Sequence, residues 1–271
     1  LPNAELKSGD RGVLFHSAFG KSDSVLGQTL SLKGITMFSN PQGKPGVVGN
    51  YDSQPREVIY SGRQFAQFWA PPVTVDGTNS SNPLNSPYTW LLWAGTPMGR
   101  VTASGKYANS VLGLTGAAAA SGATSITTDV NTAAEIVRRI GASGTFKLTG
   151  PPAAAGTVAT QVVTYSAVNT TTGAITCTAL SAAAVSGSLI QPTDGSETIL
   201  TLLCEVDGLQ IVDQTHTNRV DVFCGTLLAG GGTINTGMIV NYPSDPSLKA
   251  YLKAAMRATC PGVTFLDDIT G

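Results

Sequence analysis

The stretch Tyr88-Thr89-Trp90-Leu91-Leu92-Trp93-Ala94-Gly95-Thr96-Pro97-Met98-Gly99-Arg100-Val101-Thr102-Ala103-Ser104-Gly105-Lys106-Tyr107 decides how this chain is read. Aromatic, aliphatic and β-branched side chains fill its first part, which suits a pleated, half-buried surface, and Gly95-Thr96-Pro97 punctuates the run. The remainder reads as strand, tight turn at Ser104-Gly105, and strand. Short strands separated by Gly, Pro and Ser point to a mainly β protein.

The same style resumes after residue 187. Ser188-Leu189-Ile190 leads to the turn Thr193-Asp194-Gly195-Ser196 and then a predicted strand from Thr198 to Cys204. Further strands are expected at 209–212, 219–228 and 238–240, with Gly230-Gly231-Gly232 as a break. A C-terminal helix follows. Asp245 is a good N-cap, Pro246 fits the first helical position, and Leu248, Tyr251, Leu252, Ala255 and Met256 recur at helical spacing up to Pro261-Gly262.

Residues 112–190 differ in composition: five charges, 18 Ala and 15 Thr in 79 residues. Thr132-Ala133-Ala134-Glu135 matches a capping box, so a helix is predicted at 132–140, with Arg138 and Arg139 off its apolar face and Gly141 closing it. Strands are expected at 145–148, 157–166 and 174–179, the last two joined by the hairpin loop Asn169–Gly173. This region reads as an inserted α+β subdomain whose small side chains suggest a shallow core leaning on a neighbour. Residues 71–111 and 191–271 then form the β-rich body. Residues 1–70, with turn chemistry such as Ser39-Asn40-Pro41-Gln42-Gly43 and the strand candidate Val58-Ile59-Tyr60, read as an extended N-terminal arm.

The composition excludes several function classes. The chain has 271 residues, of which 16 are basic and 17 acidic, 12% in all against roughly 25% in an average soluble domain. A net charge of −1 and an ordinary apolar fraction of 42% argue against disorder. They also argue against a nucleic-acid binder held by bulk positive charge. No stretch reaches the ~20 apolar residues of a membrane span, and none reads as a secretion signal. The cysteines Cys177, Cys204, Cys224 and Cys260 have neither disulfide-scaffold nor zinc-site spacing, and suit free thiols in a reducing cytosol. Residues 1–70 carry a net +2 and residues 191–271 a net −5, a polarity suited to head-to-tail contacts between copies.

Catalytic chemistry is sparse. His16 lies in the arm, and His216 sits in Asp213-Gln214-Thr215-His216-Thr217-Asn218, which reads as a solvated turn with no accompanying nucleophile motif. The run Gly230-Gly231-Gly232 lacks the Lys-Ser/Thr of a phosphate loop. Glu205 and Asp207 would share a face if extended, without the spacing of a calcium loop. No catalytic, cofactor-binding or metal-ligating residue is assigned, and no enzyme activity or cofactor is expected. The feature most suggestive of binding is aromatic: Phe65, Phe68, Trp69, Trp90 and Trp93, in a chain with 7% aromatics, are the candidate interface residues.

Two segments resemble the head decoration (capsid cement) proteins of tailed bacteriophages. One is Met98-Gly99-Arg100-Val101-Thr102-Ala103-Ser104-Gly105-Lys106-Tyr107. The other is Leu189-Ile190-Gln191-Pro192-Thr193-Asp194-Gly195-Ser196-Glu197-Thr198 with the strands after it. They occur in the family's order, and the cores around them cover under a third of the chain. The resemblance implies a compact β-barrel or β-sandwich body, β-tulip-like, that forms homotrimers on the exterior of the expanded capsid. There it would bridge neighbouring major capsid subunits, with an arm on the shell. The protein would be made in the bacterial host cytoplasm and reside in the virion, with no nucleic-acid or membrane partner. The long arm and the insert depart from the simplest members, and no individual residue carries over. The rival readings are a tail or host-binding adhesin component, and a polysaccharide-cleaving enzyme using acidic residues of 191–271.

Overall fold

The computed structural model describes residues 56–61, 66–150 and 158–270. The expected arm therefore falls largely outside the described residues, as do His16, Phe65 and Thr157. The protein is mainly β, with helices α1 (Val130–Arg139), α2 (Pro246–Thr259) and a short C-terminal α3 (Leu266–Thr270).

A five-stranded sheet runs in the order Thr201–Leu202, Pro97–Arg100, Tyr107–Asn109, Val73–Val75, Val222–Cys224. Pro97–Arg100 and Tyr107–Asn109 form the expected hairpin, in register Met98↔Asn109 to Arg100↔Tyr107. Gly105 sits in its turn at φ +69, a conformation that glycine adopts without steric cost. Val75, Met98, Leu203, Leu209, Ile211 and Leu227 make the core beneath this sheet. A second core gathers Ile59, Leu202, Leu228, Ile234, Phe265 and the apolar stripe of α2, including Leu252 and Met256. Asp245 caps α2 as its type predicts, accepting from the Ser247 and Leu248 amides at 2.8 and 3.1 Å.

The six-stranded sheet is drawn wholly from residues 113–191, in the order Gly113–Leu114, Leu189–Gln191, Gly144–Gly150, Ala159–Asn169, Ala174–Cys177, Ser125–Thr127. Its core is Leu112, Ile126, Ile136, Phe146, Leu148, Val163, Tyr165, Ile175 and Ile190. The expectation of a shallow core is thus overturned. The abundant Ala and Thr distract from the large side chains, most of which reach this core from one face of the sheet or from the apolar stripe of α1, while Leu189 is buried in a separate core and Val162 is exposed. Each such full burial contributes about 1.5–3 kcal/mol. Tyr165, 2% exposed, satisfies its hydroxyl by donating to the Gly141 carbonyl at 2.8 Å.

Several local readings need correction. Helix α1 begins two residues before the predicted start because Asp129, not Thr132, is its cap, accepting from the Asn131 and Thr132 amides at 2.9 Å each. Glu135 turns to Arg138 instead of completing a capping box. Arg139, expected off the apolar face, is buried. Residues 236–238 form a 3-10 turn, not the start of a strand, and Glu205 and Asp207 lie at a turn, not on one strand face.

The two segments quoted for the family resemblance meet in space. Thr102 donates its amide to the Asp194 carbonyl at 2.8 Å, and Leu200 donates to Met98 at 2.9 Å. A Cβ on Gly99 would overlap the carbonyl oxygens of Ser196 and Thr198, so the backbones touch where a side chain would stand. Gly99→Ala is accordingly expected to cost about 1–3 kcal/mol through forced displacement. Urea titration should give a lower midpoint with an unchanged slope.

Candidate interaction surface

The five aromatic candidates do not form one patch. Phe65 lies outside the described residues. Phe68 is half-buried, opposite Leu228, and packs on the core that includes α2. Trp90 packs on the core of the five-stranded sheet, with the His216 ring stacked on it at 4.8 Å and Tyr88 edge-on at 5.8 Å. His216 is therefore a packing partner of Trp90 and not a freely solvated turn residue. Its backbone φ of +56 is held by the Asp213 loop, where Asp213 accepts from Thr215, Thr217 and Asn218. Trp93 is half-buried beneath the Arg56 guanidinium, 4.7 Å from the ring centroid. Of the described four, Trp69 is the most open to solvent, at 38%.

Tertiary structure adds a residue that the sequence reading missed. Phe223 is 77% exposed, at the centre of the outermost strand of the five-stranded sheet. Its neighbours Val222 and Cys224 turn inward onto the core, so alternation sends Phe223 out. That period-2 pattern was the available signal. The segment 69–75 runs antiparallel to 222–227: Trp69 donates to the Leu227 carbonyl at 3.0 Å, and Thr74 pairs with Phe223. Exposed Trp69, Pro71, Pro72 and Phe223 are thereby carried along one edge of the body. Such an edge presents backbone hydrogen-bonding groups beside apolar side chains, the combination used in strand addition.

Charged groups bind the structure together elsewhere. Arg139, its side chain 1% exposed, donates to Asp194 at 2.8 Å and to Ser196 Oγ at 2.9 Å. Burial works to raise the Asp194 carboxyl. The Arg139 charge and hydrogen bonds from Ser196 and Arg139 outweigh it and hold Asp194 below the usual carboxylate range. Lys106 pairs with Asp221, and Lys253 with both Asp267 and Asp268, the latter also held by Arg257. The acidic excess of residues 191–271 is thus partly used inside the chain, which weakens the argument that it serves contacts between copies. Among the described residues no cluster of His, Cys, Asp and Glu could hold a metal, and no helix is long and apolar enough to cross a membrane.

Comparisons with family models, curated proteins and solved structures give no match to this chain.

Asp194 and Asp268 both have lowered carboxyl pKa values in the folded state. Each contributes stability that is present above the unfolded value of about 3.9 and is lost as pH falls through its folded value. Asp194→Asn should remove part of this acid-limb slope. It should also lower stability at neutral pH, toward the lower end of the about 3–5 kcal/mol cost of an unpaired buried charge, because Arg139 keeps Ser196. Equilibrium unfolding between pH 2 and pH 7 measures both effects.

Proposed function

We propose that this protein is a structural component of a phage virion that binds the outside of the expanded capsid and bridges neighbouring major capsid subunits. The observation that carries the reading is the joint described above. The two segments resembling the cement family, which start 91 residues apart in the chain at Met98 and Leu189, are packed backbone to backbone through Gly99, Thr102 and the turn at Asp194–Ser196. They form one structural unit, which supports reading them together.

The reading also suits the surface. A cement protein stabilises a shell by mass action, binding the assembled state in preference to free subunits, and this needs contact area and strand edges. Phe223 on the outermost strand, with Trp69, Pro71 and Pro72 in the segment leading into its neighbour, supplies an edge of that kind. A homotrimer with cyclic symmetry would present three such edges at once and gain avidity from simultaneous engagement.

The purified protein is expected to sediment as a trimer and to bind expanded shells in preference to immature ones. The variant Phe223→Ser should keep its thermal midpoint within a few degrees, since that side chain is 77% exposed and surface changes cost within about 0.5 kcal/mol. The same variant should lose shell binding by about tenfold or more. Co-sedimentation with shells and thermal unfolding together check this. A monomer without affinity for shells would refute the reading, and localisation on the tail in virion images would replace it with an adhesin role.

A further inference from the structure

A cleft of about 260 Å³ opens between the loop 81–89 and α1, with Ser81, Ser86 and Thr89 on one wall and Asn131, Glu135 and Arg138 on the other. It is smaller than the about 300–1,000 Å³ typical of pockets for drug-sized ligands. At one wall, buried Glu135 accepts two bonds of 2.7 Å from Arg138, and Arg138 gives a third, 2.6 Å, to the Thr78 carbonyl. A guanidinium has five N–H donors, so two of Arg138's remain for a ligand. Behind the opposite wall Arg219 donates to the Ser80 carbonyl at 2.6 Å and to Thr89 Oγ1 at 3.0 Å. The Thr89 hydroxyl accepts in that bond, which leaves its proton to be given into the cleft.

The charge count here is uneven. Arg138 and Arg219 share one carboxylate, Glu135, and among the described residues Arg219 makes no ion pair. Burial and then the Arg138 charge lower the Arg219 pKa to about 10, opposed by Glu135. The site is one negative charge short. Its remaining hydrogen-bonding capacity is rich in donors: the Arg138 N–H groups, the Thr89 and Ser86 hydroxyls and the Asn131 amide.

We propose that this cleft binds an acidic sugar unit, its carboxylate on Arg138 and its ring hydroxyls against Ser86, Thr89 and Asn131. A carboxylate supplies the missing charge and accepts from a planar guanidinium in good geometry. Hydroxyls can both donate to and accept from Ser, Thr and Asn, which a purely anionic ligand would leave half used. The inference is independent of capsid binding and stands or fails without reference to shells.

The test is titration of the full chain, followed by amide NMR shifts and calorimetry, with D-glucuronate, D-glucose and acetate as probes. Glucuronate should perturb the amides of Ser86, Thr89, Asn131 and Arg138, and both glucose and acetate should bind about tenfold more weakly or less. Asn131→Asp places a competing carboxylate at an exposed position in the first turn of α1, where an acid favours the helix, so folding is retained. This variant should lose glucuronate binding by about tenfold, with no fall in thermal midpoint. The proposal is overturned if glucuronate causes no shifts at these amides, if glucose binds equally, if acetate binds as tightly as glucuronate, or if Asn131→Asp binds unchanged.

Discussion

The buried contact between Arg139 and the turn at Asp194–Ser196 is the constraint on which the arrangement depends. The guanidinium comes from the last turn of α1, whose apolar stripe seals the core of the six-stranded sheet. The carboxylate belongs to the turn that lies against the Met98–Tyr107 hairpin. One ion pair therefore ties the helix of the 113–191 region to the joint between the two segments that flank it. A buried charge without its partner is strongly destabilising, so neither half is free to shift without the other. Leu189 and Leu248, buried together with Val111, add an apolar seam between that region and α2.

The body around this joint is assembled from short strands, several only two residues long. Ladders of that length contribute little alone, and their stability comes from the side chains they place in the cores. This is why glycine matters at Gly99, where a missing side chain lets two backbones touch, and much less where the chain faces solvent. The C-terminus is secured differently. Lys253 and Arg257 of α2 pair with Asp267 and Asp268 of α3, and both cations also lie over the Phe265 ring, at 5.7 and 5.1 Å from its centroid. The Thr264–Phe265 strand, parallel to Thr233–Ile234, carries this closure to the strand Ile59–Ser61.

Two surfaces stand out on this scaffold, and they differ in kind. The edge bearing Trp69 and Phe223 is apolar, open and backbone-rich, suited to a large partner held over area. The cleft beside α1 is small, polar and short of negative charge, suited to a compact ligand held by direction and charge. Either can change without unmaking the fold, because neither Phe223 nor Asn131 belongs to a core.

The mainly β class, the 97–109 hairpin, the strands near 145–148, 157–166 and 174–179 and the capped helix α2 were legible because each rests on local signals: turn residues, period-2 alternation, and Asp followed by Pro ahead of an apolar stripe. The two short strands Gly113–Leu114 and Ser125–Thr127 were not. The start of α1 was misplaced because Asp129 and Thr132 are both competent caps, and three-dimensional context chose between them. The aromatic candidates were legible as residues but not as a site, since composition cannot say which ring faces a core. Trp90 and Phe68 went inward, Trp69 stayed at the edge, and Phe223 was overlooked in a run that reads as core. The pairing of Arg139 with Asp194, fifty-five residues away, and the placement of Arg219 beside the local Glu135–Arg138 pair came from tertiary structure alone. Local sequence sets which groups can be buried or charged. Only the packed chain determines which of them must share the same low-dielectric space.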